Sequence, residues 1–254
     1  MNAPVDIALV NLEGDLDVTT VPVVRRRIDR LIAGGARRIF MNMAAARYVD
    51  SAGMGLILTE LRHMRASGGL LSLYNVSPQL YRALSLMRMV DYMPVARAGS
   101  RREVSALDPA VLPRWRTTFR VGPAELASAR ERVCELVSRL PFSPDGVFDL
   151  TLACGEALGN AIDHTCGCGV LATVTAYPDR VTVEVTDCGE GFELAEGEEP
   201  PETGPGAERG RGIRLMRLLA DSVSIAPKRA GEGTVVRLVK LFDAAAAPAV
   251  ARGA

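Results

Sequence analysis

Apolar residues alternate along Ile7-Ala8-Leu9-Val10-Asn11-Leu12 as they do in a strand, and Glu13-Gly14-Asp15 ends the run as a turn. The period then lengthens. Val24, Ile28, Leu31 and Ile32 recur at helical spacing, with Thr19 or Thr20 as the expected cap, Pro22 in the first turn and Gly34-Gly35 as the stop. Residues 38–43 read as a second strand, and Asp50-Ser51-Ala52-Gly53 as a loop leading into a helix over 54–66. Gly68-Gly69 ends that helix, 70–74 is a third strand and 78–86 a further helix. Strand and helix in alternation predict an α/β domain.

The pattern breaks between Ala98 and Pro113, where Gly99, Ser100, Asp108 and Pro109 mark a linker. The expected division is a first domain over 1–104, a linker over 105–115, a second domain over 116–243 and an Ala-rich tail over 244–254. The second domain reads as a strand at 117–121, a helix over 123–140 and a break at Pro141-Phe142-Ser143-Pro144. A long helix follows over 146–164, then strands at 170–177 and 180–186 joined by Pro178-Asp179. A helix at 212–220 and strands at 222–226 and 234–239 complete it. Residues 194–209 are acidic and rich in Gly and Pro, the composition of a mobile segment.

The long helix has two stripes. Leu150, Cys154, Ala157, Leu158 and Ala161 share the apolar one, and Glu156, Asn160, Asp163 and His164 the polar one. A carboxylate one turn from an amide oxygen suits Mg²⁺ and a proton-accepting role, although an ordinary solvated face has the same composition. Three further elements bear on that choice. Asp187-Cys188-Gly189-Glu190-Gly191-Phe192 follows a strand, so that a carboxylate is placed to accept from an exocyclic amine and glycines let backbone approach a flat ring. Gly210-Arg211-Gly212-Ile213 opens a helix, where backbone amides favour an anion. Gly231-Glu232-Gly233-Thr234 precedes a strand and offers a hydroxyl.

These four elements, in this order over about 116–240, resemble the GHKL ATPase family (gyrase, Hsp90, histidine kinases, MutL), and within it the anti-sigma factor serine kinase branch. The resemblance implies an α/β sandwich of the Bergerat type that binds ATP and Mg²⁺, with 194–209 as its lid. It implies Asn160 as the Mg²⁺ ligand and Glu156 as the catalytic base. Asp187 would hold the adenine amine with help from Thr234, and Gly189, Gly191, Gly210 and Gly212 would shape the pocket. No paired dimerisation and phosphoacceptor helices precede this domain, which disfavours a histidine kinase. His63, in Glu60-Leu61-Arg62-His63-Met64-Arg65, reads as a surface histidine.

In the first half, Ser51 precedes a helix, where a serine is commonly an N-cap and where a phosphate is also favoured. Glu13-Gly14-Asp15-Leu16-Asp17, the strand at 38–43 and Val49-Asp50-Ser51-Ala52-Gly53-Met54-Gly55-Leu56 resemble the STAS domain of anti-sigma factor antagonists over about 4–100. In that family the matching serine is phosphorylated by an anti-sigma kinase, which breaks the antagonist–kinase complex. This chain has Asn42 where the family usually has aspartate. The fold expected is thus α/β in two domains, an N-terminal STAS-like domain and a C-terminal GHKL sandwich. The function implied is a serine kinase acting on Ser51 or on a partner's serine. The alternative is a non-catalytic ATP-binding switch that sequesters a sigma factor or other partner.

Composition narrows the partners. The 254 residues carry 30 basic and 30 acidic side chains, which argues against nucleic acid or an anionic membrane as the main partner. No apolar run is long enough to predict a membrane-spanning helix, and the start lacks the features of a signal peptide. The five cysteines are odd in number and irregular in spacing, so a reducing, cytoplasmic setting is expected. His164, Cys166 and Cys168, with Cys154, lack standard zinc spacing. Kinases of this branch are commonly dimers, so a homodimer is the expected assembly.

Overall fold

The computed structural model describes residues 6–100, 102–165, 169–194, 198, 211–228 and 232–243. It divides into two compact units, Met1–Arg101 and Arg102–Ala254.

The first unit contains β1 (Ile7–Asn11), α1 (Val21–Ala33), β2 (Arg38–Asn42), α2 (Ser51–Ala66), β3 (Leu70–Val76), α3 (Pro78–Leu86) and β4 (Val95–Arg97). The four strands pair in parallel in the order β1-β2-β3-β4. Each crossover therefore advances one place along the sheet. Val10, Met41 and Leu73 of the sheet join Ile28 of α1 and Leu56, Ile57, Leu61 and Met64 of α2 in one buried core. Each such side chain contributes roughly 1.5–3 kcal/mol on burial.

Three local features depart from the sequence reading. Helix α2 begins at Ser51, not at 54, because Asp50 is the N-cap: its Oδ1 accepts from the Gly53 amide at 2.7 Å. At the start of α1, Thr20 occupies the N-cap position without a capping side-chain bond, and Asp17 Oδ1 accepts from the amides of Thr19 and Thr20. The Thr19 hydroxyl, then those amides, hold the Asp17 carboxyl below the usual carboxylate range. Strand β4 follows Pro94 and is too short to show alternation.

The second unit contains β5 (Trp115–Val121), a 3-10 turn (Pro123–Glu125), α4 (Leu126–Val137), α5 (Pro144–Asp163), β6 (Val170–Ala176), β7 (Arg180–Thr186), α6 (Arg211–Leu219), β8 (Ser222–Pro227) and β9 (Thr234–Leu241). Its sheet is antiparallel in the order β5-β6-β7-β9-β8. The helix expected over 123–140 is shorter, since Pro141 disfavours helical geometry just before it. Helix α5 starts at Pro144, where Ser143 Oγ accepts from the Gly146 amide.

Val174, Val183, Val185 and Leu238 give the sheet a buried apolar face, against which α5 sets Leu150, Cys154, Ala157, Leu158 and Ala161. The opposite face is polar. The hydroxyls of Thr118 and Thr173 lie 3.0 Å apart, Arg237 pairs with Glu184, and Arg180 is gripped by Asp179 while donating to the Ser105 carbonyl at 2.7 Å. A cavity of about 400 Å³ opens between this face and residues 104–107.

Candidate functional site

The core of the second unit fixes where its polar groups stand. With Cys154, Ala157, Leu158 and Ala161 buried, α5 leaves Glu156 and Asn160 half-buried one turn apart, and Asp163 and His164 exposed beyond them. Burial pushes the Cys154 thiol up to about 12, so it stays protonated at neutral pH.

The start of α6 meets this polar stripe. A Cβ on Gly212 would lie 3.1 Å from Asn160 Nδ2 and 3.2 Å from Glu156 Oε2. Glycine therefore lets the first turn of a nine-residue helix approach a carboxylate and an amide. The amides of such a turn are hydrogen-bond donors at the positive end of the helix dipole.

A second cluster forms where β7 ends beside the start of β9. The Asp187 amide donates to the Thr234 carbonyl at 3.0 Å, and Asp187 Oδ1 accepts from the amides of Thr234 at 2.8 Å and Gly189 at 3.0 Å. Asp187 and Thr234 are both buried. Among the described residues these bonds fall on Oδ1, which leaves Oδ2 to accept from another donor.

Glycine is required at this join. Gly233 has φ +131°, and a Cβ there would sit 2.2 Å from the Asp187 carbonyl oxygen. Gly191 has φ +86° and lies against Gly233. A Cβ on Gly189 would be 2.6 Å from the His164 carbonyl oxygen, so the loop after β7 rests on the C-terminal end of α5. The helix thus links the two clusters. The sequence reading placed Gly233 in the turn before Thr234 but gave it no role of its own in the pocket.

Gly210, Cys166, Cys168 and nearly all of the segment expected as a lid, 194–209, lie outside the described residues. Cys188 is disulfide-bonded, which the odd cysteine count did not lead one to expect. The remaining arrangement fits a nucleotide. It has a buried carboxylate oxygen for an amine, glycine turns with no room for side chains, and a helix start facing Glu156 and Asn160.

The first unit brings its own motif together. Asp15 Oδ1 accepts from the amides of Arg47 and Tyr48, Leu16 and Val49 form a parallel bridge, and Asp50 Oδ2 accepts from the Val18 amide. The Glu13–Asp17 and Val49–Leu56 segments are therefore one structure. A Cβ on Gly53 would meet the Leu16 carbonyl oxygen at 2.4 Å, whereas Gly55 has nothing within 4 Å. Ser51 is exposed as the first residue of α2. Asn42 ties three strand ends, donating to Asn11 Oδ1 and accepting from Asn75. An aspartate there could accept but not donate.

The histidine kinase-like ATPase domain family matches residues 119–240, and the STAS domain family matches 1–99. The anti-sigma-B factor antagonist of Staphylococcus aureus is 30% identical over 86 residues, 34% of this chain and 80% of that protein. The anti-sigma F factor antagonist of Paenibacillus polymyxa is 28% identical over 90 residues, 35% of this chain and 77% of that protein. Among solved structures, the anti-sigma factor antagonist SpoIIAA in its unphosphorylated form is 26% identical, covers 39% of this chain and 86% of its own, and has a TM-score of 0.31. No helix among the described residues is long and apolar enough to cross a membrane. The chain belongs, through its STAS domain, to the anti-sigma factor antagonist family, and joins to that domain a histidine kinase-like ATPase domain.

Proposed function

We propose that the chain is an ATP-dependent protein serine kinase of a partner switch, which phosphorylates a STAS-domain serine, either its own Ser51 or that of a partner. The observation that carries the reading is the approach of Gly212 to both Glu156 and Asn160, which sets the first turn of α6 against a carboxylate and an amide. Bound Mg-ATP would supply the transferable γ-phosphoryl group. Asp187 Oδ2 would accept from the adenine amine while Oδ1 stays pinned by Gly189 and Thr234. Asn160 would ligate Mg²⁺, and the α6 amides would face the phosphates. Glu156 would take the proton of the attacking serine hydroxyl as its oxygen bonds to the γ-phosphorus and the bond to the β-phosphate oxygen breaks, releasing ADP, with positioning and charge neutralisation lowering the barrier.

Ser51 suits the acceptor role because it is exposed at a helix start, where a new phosphate sits beside the Asp50 carboxylate and alters the surface a partner reads. The partners are then STAS antagonists, in cis or in trans, and a sigma factor that the kinase domain holds or releases. A homodimer and a cytoplasmic setting belong to the same reading.

The test incubates the full chain with Mg-ATP and maps phosphate by mass spectrometry, alongside Ser51→Ala and Glu156→Gln. Phosphate on Ser51, or on an added STAS protein, that disappears in Glu156→Gln supports the kinase. Tight ATP binding with no phosphate on either would replace it with a non-catalytic ATP-binding switch.

A further inference from the structure

Away from both motifs, the helical layer of the STAS domain holds a group of metal-ligand side chains. Helix α1 carries Asp29, and α2 carries Glu60 and His63 one turn apart. One ligand atom from each of the three lies within 4.8 Å of the others. Glu60 is only 3% exposed, yet among the described residues its buried Oε2 has no hydrogen-bond partner. Leaving such an oxygen unsatisfied costs about 1–3 kcal/mol, more when it is charged. The neighbouring basic groups stand off from this carboxylate: His63 Nδ1 is 3.8 Å from Oε2, and Arg25 Nε is 4.0 Å from Oε1.

A separation of 3.8 Å is too long for a hydrogen bond. It suits two ligands on one ion, because bonds of about 2.0–2.2 Å to nitrogen and oxygen place ligand atoms roughly 3–4 Å apart. Asp29 and His63 are exposed, so their side chains can rotate to close the remaining distance. The spacing Glu-x-x-His projects both ligands from one helix face, as in helical carboxylate metal centres. Among the described residues, these two carboxylates have the one guanidinium of Arg25 at 4.0 Å from Glu60, which leaves a negative charge that a divalent cation offsets. One imidazole with two carboxylates suits Zn²⁺ and its neighbours among the transition metals better than Ca²⁺, which takes oxygen ligands alone.

We propose that Asp29, Glu60 and His63 form a divalent transition-metal site that clips α1 to α2, with Glu60 Oε2 as its buried ligand and water completing the shell. Ser51 begins the same helix, about 13 Å along its axis from Glu60 at 1.5 Å per residue. Metal binding therefore fixes the helix that presents this serine. The site stands or falls independently of the ATP site.

The test titrates the full chain, without nucleotide, with Co²⁺, following its visible ligand-field absorption and the thermal midpoint. The wild type should develop a saturable band and melt at higher temperature with the metal. His63→Ala and Asp29→Asn alter exposed side chains and should each weaken Co²⁺ binding roughly tenfold or more, with loss of the thermal shift. Glu60→Gln keeps the side-chain shape and should do the same. Absence of a saturable band would overturn the site. So would a band that survives unchanged in His63→Ala and Asp29→Asn, or one dominated by thiolate charge transfer, which would move the metal to cysteines.

Discussion

Helices α2 and α6 both begin with a glycine in the first turn, and they use that amide-rich end in opposite ways. In α2, Gly53 is pressed against the Leu16 carbonyl and its amide is taken by Asp50, so the end is closed by a carboxylate of the same chain. In α6, Gly212 lies against Glu156 and Asn160, side chains of another helix that bear polar groups on the space it faces. A helix start that is already capped gains little from a phosphate and suffers the repulsion of a neighbouring carboxylate. At Ser51 a phosphate would therefore change a surface. At a helix start whose glycine admits close approach, a phosphate would be held. In the proposed reaction, the phosphoryl group passes from the second kind of end to the first.

The contrast can be broken at each helix. Glu156→Gln should lower phosphate transfer by about 10²–10⁴-fold, the usual worth of a positioned base, and leave nucleotide affinity nearly intact. A radiolabel transfer assay beside a nucleotide-binding titration separates the two, and a parallel loss of both would make Glu156 a binding residue only. Gly53→Ala should destabilise the STAS domain by about 3 kcal/mol, the cost of forcing a methyl group into a packed contact. Gly55→Ala, into open space on the same helix, should instead stabilise by about 0.5–1 kcal/mol. Denaturant midpoints on the two variants read that difference directly.

Gly212→Ala should weaken nucleotide binding roughly tenfold, equivalent to about 1.4 kcal/mol, because α6 must move away from Glu156 and Asn160. Unaltered affinity would show that the close approach has no part in binding. A smaller loss of stability than at Gly53 is expected at the capping residue of the closed end. Asp50→Ala should cost about 1 kcal/mol through loss of the cap, measured by thermal unfolding.

The apolar stripes of α1 and α5 were legible because burial against a sheet imposes a period on the sequence. The division of α5 into a buried stripe and a polar stripe holding Glu156 and Asn160 was legible for the same reason. What was not legible depends on partners far along the chain. Nothing near Asp187 indicates that its Oδ1 binds the amide of Thr234, 47 residues later. Nothing near Ser51 distinguishes it from Asp50 as the cap until Val18 is seen to donate to the same aspartate. His63 read as a surface histidine because Asp29, on the preceding helix, completes its cluster with Glu60. Strand β4 escaped because three residues carry no period.

The placing of β9 has a consequence for the order in which the molecule is made. This strand comes last in its sheet by sequence, yet it lies inside the sheet, between β7 and β8, and its first residue pins Asp187. Until Thr234–Leu241 has emerged from the ribosome, β8 has only the single bridge from Leu194 to Ile225, and the Asp187 carboxylate lacks its bond from the Thr234 amide. The STAS domain needs no residue beyond Arg97 for its sheet, and domains generally fold in the order of synthesis. Each new chain would thus present a folded Ser51 before its second domain is complete, so that in the proposed reaction the acceptor is ready before the donor.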